Sequence, residues 1–163
     1  MQRIIDIKKA IKISKKLKQE GKKIVLCGGC FDVLHIGHIR FLDAAKKEGD
    51  ILFVLLENDT SVKKLKGEER PINTQEERAI LLSSLRPVDY VVILPDMNTN
   101  TDYDKLVLSL KPDIIAATKD AEQSIHIKRT AKLAGAEPAF VVNRISNRST
   151  TRLAKLIEEN NRI

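Results

Sequence analysis

Two histidines three residues apart, His35 and His38, close the segment Cys27-Gly28-Gly29-Cys30-Phe31-Asp32-Val33-Leu34-His35-Ile36-Gly37-His38. Two imidazoles on one face of a helix's first turn can donate to the oxygens of a phosphate. The unpaired N–H groups and partial positive charge of a helix start favour the same anion. Gly37, without a side chain, would let the backbone come close to such a ligand. What must hold these groups is legible on either side. Lys23-Ile24-Val25-Leu26-Cys27 has the length and β-branched content of a buried strand, and Gly28 and Gly29 mark its turn. Leu34, Phe41, Leu42 and Ala45 suit one face of a following helix. The predicted unit is strand, glycine turn and helix, with both imidazoles near the helix start, about one turn apart.

Cys27 and Cys30 add a C-x-x-C to the same stretch, so four zinc-ligand types fall within twelve residues. Cys₂His₂ sites usually separate their pairs by about a dozen residues or more, and Cys27 is expected to point from its strand into the core. A redox pair needs its first cysteine at a helix N-terminus, and here the helix begins several residues later. The expectation is two reduced cysteines, Cys27 in the core and Cys30 in the turn.

Short apolar runs alternate with amphipathic stretches throughout the 163 residues, which predicts an α/β fold. The expected architecture is a Rossmann-like five-stranded parallel sheet with helices on both faces, plus an N-terminal amphipathic helix. Strands are placed at 23–28, 51–57, 88–94, 113–117 and 138–142, and helices near 36–48, 74–86, 102–110, 122–135 and 150–159. Thr74-Gln75-Glu76-Glu77 reads as a capping box, Ser149 as an N-cap, and all five prolines fall at proposed boundaries. The length suits one domain over 1–163, with a basic helix over 1–20 and the core over 23–160. In such a sheet, ligands bind at the carboxyl ends of the strands where strand order reverses. The histidine turn, the lysines around 63–66 and the segment 143–151, with Arg144, Arg148, Ser149, Thr150 and Thr151, then face one crevice.

The net charge of +7 is concentrated, not spread. Residues 1–23 carry nine Lys or Arg against Asp6 and Glu20, and the remainder balances, twenty against twenty. Ile4, Ile7, Ile11 and Leu17 recur at roughly helical spacing, so the lysines are expected on the solvated face of a docked helix. Aromatic residues, at 4%, are too few for a base-stacking platform. Neither a nucleic acid nor a membrane is an expected partner. With no apolar stretch of spanning length and no secretory pattern at the start, a cytoplasmic location is expected.

Gly29-Cys30-Phe31-Asp32-Val33-Leu34-His35-Ile36-Gly37-His38-Ile39-Arg40-Phe41-Leu42 resembles the H-x-G-H signature of the cytidylyltransferase-like nucleotidyltransferases. Lys63-Lys64-Leu65-Lys66-Gly67, Arg70-Pro71-Ile72-Asn73 with Glu77-Arg78, Val88-Asp89-Tyr90-Val91-Val92 and Arg148-Ser149-Thr150-Thr151 follow in that family's order and spacing. Within it the chain most resembles the domain adenylylating D-glycero-β-D-manno-heptose 1-phosphate, with glycerol-3-phosphate cytidylyltransferase next. The resemblance implies transfer of a nucleoside monophosphate from a nucleoside triphosphate, ATP favoured over CTP, to a small phosphorylated sugar or polyol, releasing pyrophosphate. A phosphate nucleophile is largely dianionic at neutral pH, so the protein's tasks are positioning and charge neutralisation. His35, His38 and Lys66 are the implied catalytic residues. Gly29, Cys30, Phe31, Asp32, Gly37, Lys64, Arg78, Asp120, Arg144, Arg148, Ser149, Thr150 and Thr151 are further implied nucleotide-binding positions. Mg²⁺ is the implied cofactor, carried on triphosphate oxygens with few protein ligands. Asp32 is the nearest carboxylate to it, with turn stabilisation the other reading of that residue. Related enzymes are often dimers, which leaves a homodimer open.

The chain departs from the pattern at two places. After Ile115 the heptose enzymes carry a lysine, two glycines, an aspartate and an aromatic, where this sequence has Ala117, Thr118, Lys119, Asp120 and Ala121. Position 28, usually asparagine, is glycine. The altered 117–121 segment motivates a second class of reading, a nucleotide-binding sensor or interaction module without turnover.

Overall fold

The structure is a computed structural model that describes residues 3–97, 99–121 and 124–143. Its centre is a six-stranded, wholly parallel sheet: β1 (Ile4–Ile5), β2 (Ile24–Gly29), β3 (Ile51–Leu56), β4 (Tyr90–Ile93), β5 (Ile114–Thr118) and β6 (Glu137–Val142), in the order β1-β4-β3-β2-β5-β6. The helices are α1 (Ile7–Gln19), α2 (Ile36–Lys46), α3 (Asp59–Lys66), α4 (Gln75–Ser83), α5 (Asn100–Leu110) and α6 (Ile125–Ala134). The strand order reverses beside β2, between β3 on one side and β5 on the other.

Alternation along the strands divides the core into two layers. Val25 and Cys27 of β2, with Val54 and Leu56 of β3, pack beneath Phe41, Leu42 and Ala45 of α2 and Ala79 and Leu82 of α4. Ile24 and Leu26, with Phe53 and Leu55, pack on the other face beneath Leu106, Val107 and Leu110 of α5 and Ala10 of α1. Both layers follow from apolar runs buried on both faces, as parallel sheets require.

The expected five strands lay in the right places, and a sixth was missed. Ile4 and Ile5, read as helix, instead pair with Val91 and Val92 at the sheet edge. Asp6 then accepts the Lys9 N–H at 2.7 Å and starts α1 only at Ile7. The lysines at 63–66, where no helix is among the predicted elements, belong to α3: Asn58 caps it by accepting from Ser61 N at 2.7 Å. The capping box of Thr74 and Glu77 opens α4 as expected. A second box, Thr99 with Asp102, opens α5 two residues earlier than expected. Pro138, expected to open β6, is instead its second residue, which an edge strand tolerates. The predicted last helix, 150–159, lies outside the described residues. No helix among the described residues is long and apolar enough to cross a membrane.

Candidate functional site

A cavity of about 640 Å³ opens at the carboxyl ends of β2 and β5, at the reversal of strand order. Gly29, Cys30, Phe31, Asp32, His35, Gly37, His38, Lys66 and Asp120 all line it. Lys64 and Arg78 do not, and Arg144, Arg148, Ser149, Thr150 and Thr151 lie outside the described residues.

The two histidines build the start of α2 as well as the cavity wall. His35 is the N-cap, and its Nδ1 accepts the Gly37 N–H at 3.1 Å. His38 reaches back, its Nδ1 facing the His35 N–H at 3.4 Å. This is a capping box in which both polar partners are imidazoles. The rings stack, centroids 3.9 Å apart and planes 28° from parallel. Because each Nδ1 accepts, the hydrogen-bond pattern leaves Nε2 as the N–H donor of each ring. Burial, then the charge of His35 and then Lys66, lower the His38 pKa to about 4. At neutral pH His38 is therefore an uncharged Nε2–H donor.

Beneath the histidines, Phe31 adopts φ 45° and packs its ring 5.2 Å from His38. A Cβ on Gly29 would lie 3.0 Å from Cε2 of that ring, so glycine is what allows Phe31 to lie there. Asp32, 3% exposed, is consumed by its neighbours: Arg70 pairs with it through Nε at 2.5 Å, and Ile72 N and Asn73 N donate at 2.8 and 3.0 Å. Its carboxylate stabilises the turn and is not poised to hold a cation.

Arg78 lies under the site, wholly buried. Its guanidinium donates to the carbonyls of Asn73 at 3.0 Å and Cys30 at 2.5 Å, and to Asp59 Oδ1 at 2.7 Å. One side chain thus joins the turn after β2, the entry to α4 and the first turn of α3. With Nε and both terminal nitrogens each bonded to the protein, Arg78 holds the loop in position from beneath the cavity. Gln75 acts similarly, donating from Nε2 to the carbonyls of Leu56, the last residue of β3, and Leu94, the residue after β4.

Helical phase separates the two implied lysines. Lys64 and Lys66 stand two residues apart on α3, about 200° around its axis. Lys66 reaches the cavity, while Lys64 points toward Asp96 at 3.7 Å. Cys27 is buried in the core, its thiol pushed up to about 12 by burial, and Cys30 lines the cavity, its thiol raised by burial although Lys66 opposes the shift. Among the described residues no three His, Cys, Asp or Glu side chains gather where they could hold a metal ion.

Sequence reasoning did not single out Thr118 or Ile127 as site residues, nor Arg70 beyond its place in a matching segment, yet all three line the cavity. Thr118 sits at the carboxyl end of β5, so the strand-end rule could have found it. Ile127 carried no signal, being one of several apolar positions on α6.

The family described as cytidylyltransferase-like matches residues 26–162. The chain belongs to that family of nucleotidyltransferases. It is 42% identical over 149 residues to the bifunctional protein HldE of Aliarcobacter butzleri, covering 91% of this chain and 30% of that protein. Identity to the HldE of Nitratiruptor sp. is 51% over 108 residues, covering 66% and 22% respectively. The chain thus spans less than a third of the length of these curated relatives. Among solved structures, the lipopolysaccharide core biosynthesis protein of Thermoplasma volcanium aligns with TM-score 0.61 and 29% identity, over 76% of this chain and 98% of that one. Pantoate-beta-alanine ligase from Francisella tularensis aligns over 100% of this cytidylyltransferase-like chain and 80% of its own, with TM-score 0.64 and 22% identity, a likeness of fold.

Proposed function

We propose that this chain is a Mg²⁺-dependent nucleotidyltransferase that moves a nucleoside monophosphate from a nucleoside triphosphate to a small sugar or polyol phosphate. ATP and heptose 1-phosphate are the favoured substrates. The observation that carries the reading is the pair of stacked imidazoles whose Nδ1 atoms face backbone N–H groups, beside Lys66 in one cavity. Their Nε2–H groups can donate to phosphate oxygens without reorganising, in a partly dehydrated site.

The acceptor's phosphate oxygen attacks the α-phosphorus, a new P–O bond forms, and the bond to the β-phosphate oxygen breaks to release pyrophosphate. No general base is needed, because the nucleophile has a second pKa of about 6. His35 and His38 hydrogen-bond the phosphates, and Lys66 adds a mobile positive charge against the leaving group. Mg²⁺, when bound with the nucleotide, would add charge neutralisation to that of Lys66. Asp32 is committed to Arg70 and the turn, so the residues present would suit a hydrated ion carried on the nucleotide with few protein ligands.

The reading is tested by pyrophosphate release in Mg²⁺ with ATP, CTP, GTP and UTP, each against heptose 1-phosphate and glycerol 3-phosphate. Release with ATP and heptose 1-phosphate is expected. Release confined to CTP and glycerol 3-phosphate would replace both substrates. A second reading, a nucleotide sensor, draws on Ala117 and Thr118, which line the cavity where the resembled enzymes carry lysine and glycine. It predicts nucleotide binding with no release from any pairing.

A further inference from the structure

Glu57 follows β3 directly and stands beside the turn that carries the histidines, its N–H donating to the Gly29 carbonyl at 3.2 Å. Cys30 comes next in that turn and lines the cavity. After burial, its thiol responds to Lys66, which lowers it, and to Glu57, which raises it. An ammonium and a carboxylate thus act on one residue of the cavity wall.

Three other carboxylates around the site are matched by cations. Asp32 pairs with Arg70, Asp59 with Arg78 at 2.7 Å and Asp96 with Lys64 at 3.7 Å. Among the described residues Glu57 forms no ion pair, and its partner is neutral. The Tyr103 hydroxyl donates to the carboxylate, 2.8 Å from Oε1 and 2.7 Å from Oε2. Burial raises the Glu57 carboxyl, while the Tyr103 hydroxyl, the Arg78 charge and the Ser61 hydroxyl oppose the shift. Burial and then Glu57 itself raise the Tyr103 phenol, so it keeps the proton it donates. A hydroxyl fixes a carboxylate in place and leaves its charge uncancelled.

The two side chains differ in what holds them. Tyr103 lies in the first turn of α5, behind the capping box of Thr99 and Asp102, and its ring packs on the second core layer. Asn100, Tyr103 and Asp104 also wall a smaller cavity, of about 250 Å³, bordered by Gly28. A packed ring aims its hydroxyl rigidly, whereas the half-buried Glu57 side chain turns about several torsions. Held by Tyr103, Glu57 lines neither cavity. Lys66, which does line the larger one, forms no ion pair among the described residues, so a freed carboxylate would be drawn to it.

We propose that Tyr103 is a positioning residue for the triphosphate: its hydroxyl holds the Glu57 carboxylate against α5, where that charge neither repels the phosphates nor captures Lys66. The inference rests on the reading above that seats a nucleoside triphosphate beside the histidines and Lys66.

The experiment titrates non-hydrolysable ATP and CTP analogues, in Mg²⁺, by calorimetry into the parent, Tyr103→Phe, Glu57→Gln and the double variant, after thermal unfolding establishes that each is folded. Tyr103→Phe keeps the packed ring and removes only the donor. It is expected to weaken binding of the analogue that the parent prefers about fivefold. Glu57→Gln is expected to bind at least as tightly as the parent, and the double variant to return to within about twofold of Glu57→Gln. Unchanged affinity in Tyr103→Phe overturns the inference. A double variant as weak as Tyr103→Phe overturns it too, by making the hydroxyl a support of α5 alone. So does a loss of affinity in Glu57→Gln, which would make the charge an aid to binding. The transferase reading stands or falls separately, on pyrophosphate release by the parent, and a parent that binds neither analogue overturns both.

Discussion

Arg78 NH1 donates to the Cys30 carbonyl at 2.5 Å across 48 residues of sequence, and no part of Arg78 is exposed to solvent. The turn that carries the histidines is thereby tied to the helix α4 behind it. Arg78→Ala should leave the Cys30 and Asn73 carbonyls without this donor and cost about 3–5 kcal/mol of stability. Arg78→Lys, with one donor group in place of a fork, should recover only part of that loss. Denaturant unfolding of both variants checks the order; equal stability of Arg78→Ala and the parent would remove the clamp.

His38→Ala removes a donor and half of the capping box. The rate of transfer should fall by about 10²–10³, as for deletion of a single preorganised donor to a developing charge. Stability should fall by about 1 kcal/mol through the cap. His35→Asn separates the two effects. Asparagine is a good N-cap, so α2 should start normally while the rate remains low. Single-turnover rates and melting temperatures measured on both variants decide it.

The His38 pKa near 4 sets a pH window. Its folded value is depressed below the ordinary 6.5, so the unfolded chain binds the proton more readily than the folded one. This contribution to stability is whole above pH 6.5 and is lost as pH falls from 6.5 toward about 4. Protonation also turns Nδ1 from acceptor to donor and breaks the contact with His35 N. Transfer should vary little with this group between pH 6.5 and 8 and decline below about 5. Melting temperatures across that range should show a smaller acid loss in His38→Gln.

Lys66→Ala should weaken nucleotide binding or transfer by about tenfold or more, whereas Lys64→Ala should stay within about twofold, since only Lys66 reaches the cavity. Calorimetry with an ATP analogue and pyrophosphate release compare the two. Equal losses would place both ammonium groups on the phosphates.

Asp113 anchors the opposite end of the sheet. Burial alone would raise its carboxyl, but the Ile24 N–H at 2.7 Å and Lys18 at 2.7 Å outweigh it and hold the pKa below the usual carboxylate value. The stability it contributes is present above the ordinary aspartate pKa of 3.8 and is lost as pH falls through the lower folded value. Asp113→Asn should therefore cost about 1 kcal/mol at pH 7 and less in strong acid. Unfolding at both pH values tests the sign.

What could be read from the sequence followed short-range physics. The run from Lys23 to Cys27, the glycine turn and the periodicity of Phe41, Leu42 and Ala45 located β2 and α2, because burial pattern and turn chemistry are local. Thr74 and Glu77 announced α4 for the same reason. Ile4 and Ile5 were misread because an apolar pair fits helical spacing as well as an edge strand, and only Val91 and Val92, far along the chain, decide between them. Arg78 and Asp32 showed the same limit within the site. Both residue types suit a phosphate or a cation, and their roles depend on the distant groups that satisfy them, Cys30 and Asp59 for one, Arg70 and Asn73 for the other. Gly28 stands in the sequence only as a departure, and the smaller cavity it borders exists only once α5 and α6 pack above β2.

Helix α3 delivers Lys66 as its final residue, eight positions beyond the Asn58 cap. A lysine aimed by helical phase is sensitive to length, not only to composition. Inserting or deleting one residue between Asn58 and Lys66 would swing the ammonium by about 100°, and a change of two would bring round the face now held by Lys64. The segment should therefore accept exchanges of residue type on its outer face while refusing changes in its number of residues.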